Sequence, residues 1–205
     1  MMKTRIKFCG LTREEDIAAA NELKPDYIGF VFWEKSKRYV TREQARKLKA
    51  QLDPAIEAVG VFVDSDINVV KALLDDGIID IAQLHGNEDE NYIETLQEET
   101  GKSVIKAFKI RSEDDAKTAE QSPADLVLLD SGMGTGKTFD WGLLKGVKRP
   151  YLLAGGLGVD NAAEAVKMLH PYALDVSSGI ETEGVKDKNK MAAFMAAVRK
   201  EDEHD

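Results

Sequence analysis

A single thiol, Cys9, closes the segment Arg5-Ile6-Lys7-Phe8-Cys9-Gly10. In a strand, alternate side chains point to opposite faces, so Ile6 and Phe8 share one face and Arg5, Lys7 and Cys9 share the other. The thiol therefore ends a polar column at the carboxyl end of a strand, two residues beyond a cation that would favour its thiolate. Such a group suits a general base or nucleophile, although a lone cysteine is also an ordinary small hydrophobe of a core. Three other strand ends carry similar groups. Gln83 and His85 share a face in Ile81-Ala82-Gln83-Leu84-His85-Gly86. Asp130 ends the apolar run Leu126-Val127-Leu128-Leu129, and Asp175 shares a face with Ser177 in Leu174-Asp175-Val176-Ser177. Each alone has an ordinary meaning as a turn, cap or satisfied polar residue. Together they form one layer in which an acid and a base could move protons.

Two glycine-rich segments suggest an anion site. Leu153-Ala154-Gly155-Gly156-Leu157-Gly158 and Ser177-Ser178-Gly179-Ile180-Glu181 each follow a predicted strand. Glycine lets backbone N–H groups approach a phosphate closely. The run Gly132-Met133-Gly134-Thr135-Gly136-Lys137-Thr138 is not a nucleotide P-loop. That pattern needs four residues between the first glycine and Gly-Lys-Thr, and Gly132 leaves three. It reads instead as a mobile loop over an active site. Arg38, in the basic stretch Glu34-Lys35-Ser36-Lys37-Arg38, has a planar fork suited to a carboxylate. No metal is expected, because the usable histidines and Cys9 lie on different strands without ligand spacing.

The elements that must hold these groups alternate eight times. Apolar, β-branched-rich runs predict strands at 5–9, 27–32, 56–63, 79–84, 104–109, 125–130, 150–154 and 173–177. Between them, helices are predicted near 13–23, 41–51, 66–76, 88–100, 113–120, 140–146, 160–169 and 188–199. The N-caps expected are Thr12, Thr41, Asp66 and Asp160, with a loose capping box in Thr41-Arg42-Glu43-Gln44. Residues 113–120 are the weakest of these helices, being short and polar, and a largely loop conformation is left open there. Strict alternation predicts a parallel sheet, and eight units predict one closed (β/α)8 TIM barrel of the α/β class over residues 1–205. The barrel fold places its active site at the carboxyl ends of its strands and a phosphate site after strands seven and eight.

Composition narrows the function. The 205 residues are 43% hydrophobic and 32% charged, which fits a soluble globular chain. No apolar run approaches the ~20 residues that span a bilayer, and no signal region precedes the first strand. One cysteine makes no internal disulfide, so a reducing cytoplasm is expected. A net charge of −9 argues against nucleic acid, whose backbone demands clustered Lys and Arg. The ending 201–205 is read as a frayed tail.

The motifs Lys7-Phe8-Cys9-Gly10-Leu11-Thr12, Ser36-Lys37-Arg38-Tyr39, Gln83-Leu84-His85-Gly86, Leu129-Asp130-Ser131, Gly134-Thr135-Gly136-Lys137-Thr138-Phe139-Asp140-Trp141, Leu153-Ala154-Gly155-Gly156-Leu157 and Asp175-Val176-Ser177-Ser178-Gly179-Ile180-Glu181 together resemble those of the phosphoribosylanthranilate isomerase family. They run from residue 7 to 181 in the family's order. Met133 and Phe8 depart from it at positions where Gly and Ile are common. The resemblance implies an Amadori rearrangement in tryptophan biosynthesis, without cofactor or metal, on a small phosphorylated substrate, by a monomer or homodimer. It implies Asp130 as general acid, Cys9 as general base and Arg38 as the holder of the anthranilate carboxylate. Gly155, Gly156, Ser177, Ser178 and Gly179 would surround the phosphate, and Lys7, Gln83, His85 and Asp175 would contact substrate. Burial beside an anionic substrate would raise the pKa of Asp130 and keep the acid protonated. Two alternatives are an isomerase of another ribosyl-amine and a catalytically silent sensor of a phosphorylated ligand. Paired aspartates on strands one and five would mark the former, but Cys9 and Lys109 stand there.

Overall fold

Eight short strands hydrogen-bond in sequence order into a closed barrel, and every neighbouring pair is parallel. They are β1 (Arg5–Cys9), β2 (Tyr27–Val31), β3 (Glu57–Phe62), β4 (Ile81–Leu84), β5 (Val104–Lys109), β6 (Leu126–Asp130), β7 (Tyr151–Ala154) and β8 (Ala173–Val176). The computed structural model describes residues 3–130, 140–144 and 146–203. The predicted loop 131–139 lies outside them. The barrel closes where β1 pairs with β8, which sets Lys7 beside Asp175. No helix among the described residues is long and apolar enough to cross a membrane.

Among the described residues, seven α-helices pack outside: α1 (Glu14–Leu23), α2 (Arg42–Lys49), α3 (Ile67–Asp75), α4 (Glu90–Thr100), α5 (Glu113–Glu120), α6 (Ala162–Leu169) and α7 (Lys188–Asp202). The strand alternation divides the core in two. Ile6, Phe8, Ile28 and Phe30 face the helices in one apolar layer. Tyr27, Val59, Ile81, Ile105, Leu128 and Leu152 fill the barrel interior. Lys7 and Cys9 take the interior parity, so the polar column of β1 runs up the inside of the barrel.

Several expectations change. The segment 113–120 is the full helix α5. Ser112 accepts from the Asp115 N–H, and the Asp115 carboxylate accepts from the Ser112 N–H. This closed capping box and the buried Ala116 and Ala119 supply what its polar composition lacks. The helix predicted at 140–146 is a single 3₁₀ turn, Trp141–Leu144, started where the Asp140 carboxylate accepts from the Gly142 N–H. The ending is not wholly frayed. Helix α7 continues to Asp202, whose carboxylate accepts from the Thr4 N–H at 3.1 Å and from Arg199 at 3.0 Å. Thr41 and Asp66 are N-caps as expected. At α1, Arg13 takes the cap position, and the Asp16 carboxylate accepts from the N–H groups of Thr12 and Arg13. At α6 the cap is Asn161, one residue after Asp160.

A two-stranded hairpin, β9 (Glu181–Thr182) and β10 (Val185–Lys186), follows β8. Its two-residue turn, Glu183-Gly184, has positive φ at both positions, 53° and 81°. That is the geometry whose twist matches the flanking strands. The pairing sets Lys186 opposite Glu181.

Candidate active site

The carboxyl ends of the strands enclose a cleft of about 280 Å³. Cys9, Arg38, Gln83, His85, Asp130, Gly155, Gly156, Asp175, Ser177 and Ser178 line it. These side chains come from both ends of the chain and meet because every strand's interior parity points to one axis. A larger cavity, about 340 Å³, opens at the amino ends of the strands beside Arg5, Arg149 and Tyr172. There the Arg149 guanidinium donates to the carbonyls of Ser122 and Ala124, and Arg5 donates to the Tyr27 hydroxyl. Those two cations already have partners, whereas Cys9, His85 and Asp130 line the opposite mouth.

Cys9 is 9% exposed. Gly29 lies beside it on β2, where an added Cβ would come within 2.8 Å of Sγ. A small residue on that strand is thus required to seat the thiol. Burial pushes the Cys9 thiol above its ordinary pKa, and the Lys7 ammonium offsets only part of the effect. The expectation that Lys7 favours the thiolate gave the right sign for one contribution and missed the larger one. A thiol in this state is weakly reactive at neutral pH and becomes a strong base once deprotonated. Alkylation of this sole thiol by iodoacetamide should accelerate with pH through a midpoint above the ordinary ~8.5. A midpoint below that value would show that cations, not burial, govern Cys9.

Lys7 is fully buried. Its ammonium donates to Gln83 Oε1 at 2.7 Å and to Asp175 Oδ2 at 3.0 Å. Gln83 Nε2 lies 3.1 Å from His85 Nδ1, and His85 Nε2 lies 3.4 Å from Asp130 Oδ2. A polar chain therefore crosses the barrel interior from Asp175 to Asp130. The other carboxylate oxygen of Asp175, Oδ1, is buried without a hydrogen-bond partner among the described residues. An orphaned acceptor at a cleft wall is suited to a ligand hydroxyl.

Arg38 donates from Nε and Nη2 to the two oxygens of Glu181, at 2.6 and 2.7 Å. Lys186 donates to the same carboxylate at 2.6 Å. Burial raises the Glu181 pKa, but these two cations outweigh it and hold the carboxyl below the usual range. Gly10 makes room for the arginine stem, since a Cβ there would lie 2.3 Å from Arg38 Cδ. Lys186 also donates to the Ser177 carbonyl at 2.9 Å and to the Ser177 hydroxyl at 3.2 Å, while that hydroxyl donates to the Cys9 carbonyl at 3.0 Å. Sequence reasoning gave no role to Gly29, Glu181 or Lys186. The Glu183-Gly184 turn was the available signal that residues 181 and 186 face each other.

The loops after β7 and β8 touch through a bridge between Gly158 and Gly179. Gly155 and Gly156 have φ of 89° and 66°, conformations that disfavour any other residue. Asn161 pins this loop by accepting from the Gly158 N–H and donating to the Gly156 carbonyl, each at 2.9 Å. Gly179 does not line the main cleft. It borders an adjoining hollow with Gly156, Ser178 and the start of α6, the helix that carries Asn161 at its N-cap.

Comparison with known proteins matches this arrangement. The family model of N-(5′-phosphoribosyl)anthranilate isomerase matches residues 6–197. The isomerase of that name from Endomicrobium trichonymphae is 46% identical over 200 residues, covering 95% of this chain and 98% of its own. The one from Thermoanaerobacter pseudethanolicus is 44% identical over 202 residues, covering 95% and 98%. Among solved structures, phosphoribosyl anthranilate isomerase from Thermotoga maritima superposes with a TM-score of 0.87 at 35% identity, covering 96% of this chain and 99% of that one. A structure of such an isomerase in complex with reduced 1-(o-carboxyphenylamino)-1-deoxyribulose 5-phosphate superposes with 0.86 at 34% identity over the same shares. With this agreement over nearly its whole length, the chain belongs to the N-(5′-phosphoribosyl)anthranilate isomerase family.

Proposed function

We infer that this chain converts N-(5′-phosphoribosyl)anthranilate to 1-(2-carboxyphenylamino)-1-deoxyribulose 5-phosphate, a step of tryptophan biosynthesis. The observation that carries the reading is the joint placement of Cys9 and Asp130 on one cleft, with Arg38 on the same wall system and the two glycine loops beside it.

The rearrangement needs a proton delivered to the furanose ring oxygen and a proton taken from C2′. Asp130 delivers the first. The ring C1′–O bond then breaks as the anilino nitrogen lone pair moves in, which leaves a Schiff base. Cys9, as its thiolate, removes the C2′ proton, and the electron pair forms an enolamine. Tautomerisation of that enolamine gives the ketose. The raised pKa of Cys9 makes the thiolate, once formed, a stronger base, while leaving less of it at neutral pH.

The rest of the cleft binds and orients. Glu181 holds the Nε–Nη2 edge of Arg38, so the Nη1 side of the guanidinium is left for the anthranilate carboxylate. Asp175 Oδ1 accepts from a sugar hydroxyl. Backbone N–H groups of Gly155, Gly156, Ser178 and Gly179, at the N-terminal end of α6, receive the phosphate. Ser177 contributes through its backbone and through the tie of its hydroxyl to Cys9. The test is to add the protein to freshly prepared substrate and follow the decay of anthranilate fluorescence. Catalysed decay supports the reading, and a spontaneous rate at micromolar protein would overturn it.

A further inference from the structure

We propose that Gln83, oriented by the buried Lys7, is a positioning residue that sets His85 as its Nε2–H tautomer and aims that N–H at the Asp130 carboxyl. This rests on the isomerase reading for the role of Asp130, and it goes further by giving Lys7, Gln83 and His85 a function other than contact with substrate.

The donors and acceptors along the chain from Lys7 to His85 fix its direction. An ammonium only donates. The end of the Gln83 amide that lies 2.7 Å from Lys7 Nζ must therefore be its oxygen. The other end, the NH2, then faces His85 Nδ1 at 3.1 Å. An amide NH2 also only donates, so Nδ1 must present its lone pair. In the neutral ring the remaining proton sits on Nε2, the atom 3.4 Å from Asp130 Oδ2. Lys7 has no exposure, and Asp175 at 3.0 Å supplies the counter-charge. Burial alone would discharge Lys7, but the Asp175 carboxylate leads the groups that offset it and hold its pKa above the usual value. Gln83 is 1% exposed, so water does not compete for either end of the amide.

The tautomer matters because Asp130 must give its proton to a sugar oxygen and to nothing else. A bare Nε2 would accept that proton and divert it into the imidazole. An Nε2–H cannot accept it. The same N–H donates to the carboxylate that appears as the proton leaves, which stabilises charge developing in the transition state. The 3.4 Å separation is long for a hydrogen bond, as catalytic contacts often are before substrate closes the site. Lys7 and Asp175 thus fix the donor direction from the opposite side of the barrel.

The experiment uses the full chain labelled with ¹⁵N-histidine. It contains three histidines, and His85→Asn assigns the relevant signals by their loss. Wild type should show a protonated Nε2 and an unprotonated Nδ1. In Gln83→Glu an ionised carboxylate can only accept, so Nδ1 should become protonated. In that variant kcat should fall about 10–100-fold, as when outer-shell partners of a catalytic group are lost, while KM changes less than about threefold. Gln83→Met, which cannot donate to Nδ1, provides a second variant if Gln83→Glu does not fold. It should lose the single tautomer and fall in kcat likewise. A protonated Nδ1 in wild type overturns the proposal. So does an inverted tautomer with unchanged kcat, or Gln83→Met at wild-type kcat. Absence of any wild-type turnover would sink the isomerase reading instead, and the wild-type spectrum would still report the tautomer.

Discussion

Cys9→Ala and Asp130→Ala should each lower kcat by about 10²–10⁴-fold, the usual contribution of one general acid or base. In the proposed mechanism the two groups act on one pathway, so either loss alone blocks it. For that reason the effects should not add, and the double variant should fall little below the worse single one. Conservative replacements sharpen the test. Cys9→Ser keeps the shape beside Gly29 but offers an alcohol, a far poorer base than a thiolate at neutral pH. It should be nearly as inactive as the alanine variant. Asp130→Asn keeps the contact with His85 but removes the transferable proton, and should be equally impaired. The fold should survive all four changes. Cys9 sits at a cleft wall, and removal of its sulfur should cost about 1 kcal/mol. The measurements are the fluorescence decay of fresh substrate and a thermal melt on each variant. A Cys9→Ser protein at wild-type kcat would move the role of base to another residue.

Gly179→Ala should be the most damaging change that touches no proton-transfer group. Its added Cβ would stand 1.9 Å from the Leu157 carbonyl oxygen and 2.8 Å from Gly158 Cα. Both obstacles are backbone, so the loops after β7 and β8 must separate. Overpacking of this kind costs about 1–3 kcal/mol in stability. Displacing a binding loop by about 1 Å can cost on the order of 10²-fold in turnover efficiency, and a large part should appear in KM for the phosphorylated substrate. Inorganic phosphate gives a second readout. At about 100 Kd a ligand of the native state adds ~2.7 kcal/mol. Wild type should show that gain in its melting transition, and Gly179→Ala should keep only the smaller, general effect of an excluded salt. Gly158→Ala is the control, since its Cβ would meet Gly179 at 3.7 Å, an ordinary contact. It should retain phosphate binding. Equal phosphate shifts in wild type and Gly179→Ala would remove the phosphate from these loops.

The eight strands, their order and the layer of polar strand ends were legible in the sequence because they depend on local periodicity. Alternation of side chains in β1 is enough to put Lys7 and Cys9 on one face, and the same holds for Gln83 with His85 and Asp175 with Ser177. The rule that parallel barrels work at their carboxyl ends then brings those faces to one mouth. Helix α5 was less legible. Its stability comes from a reciprocal cap at Ser112 and Asp115 and from burial of two alanines, neither of which a hydrophobic pattern reveals. What tertiary structure alone decided is who touches whom. Arg38 meets Glu181 across 143 positions of chain, and the Ser177 hydroxyl reaches the Cys9 carbonyl across 168. Periodicity gives a side chain its direction but not its distance from a residue on another strand. The direction of the Cys9 pKa shift shows the same division. A lysine two residues away is visible in the sequence, whereas the burial that outweighs it exists only once eight strands have closed around the thiol.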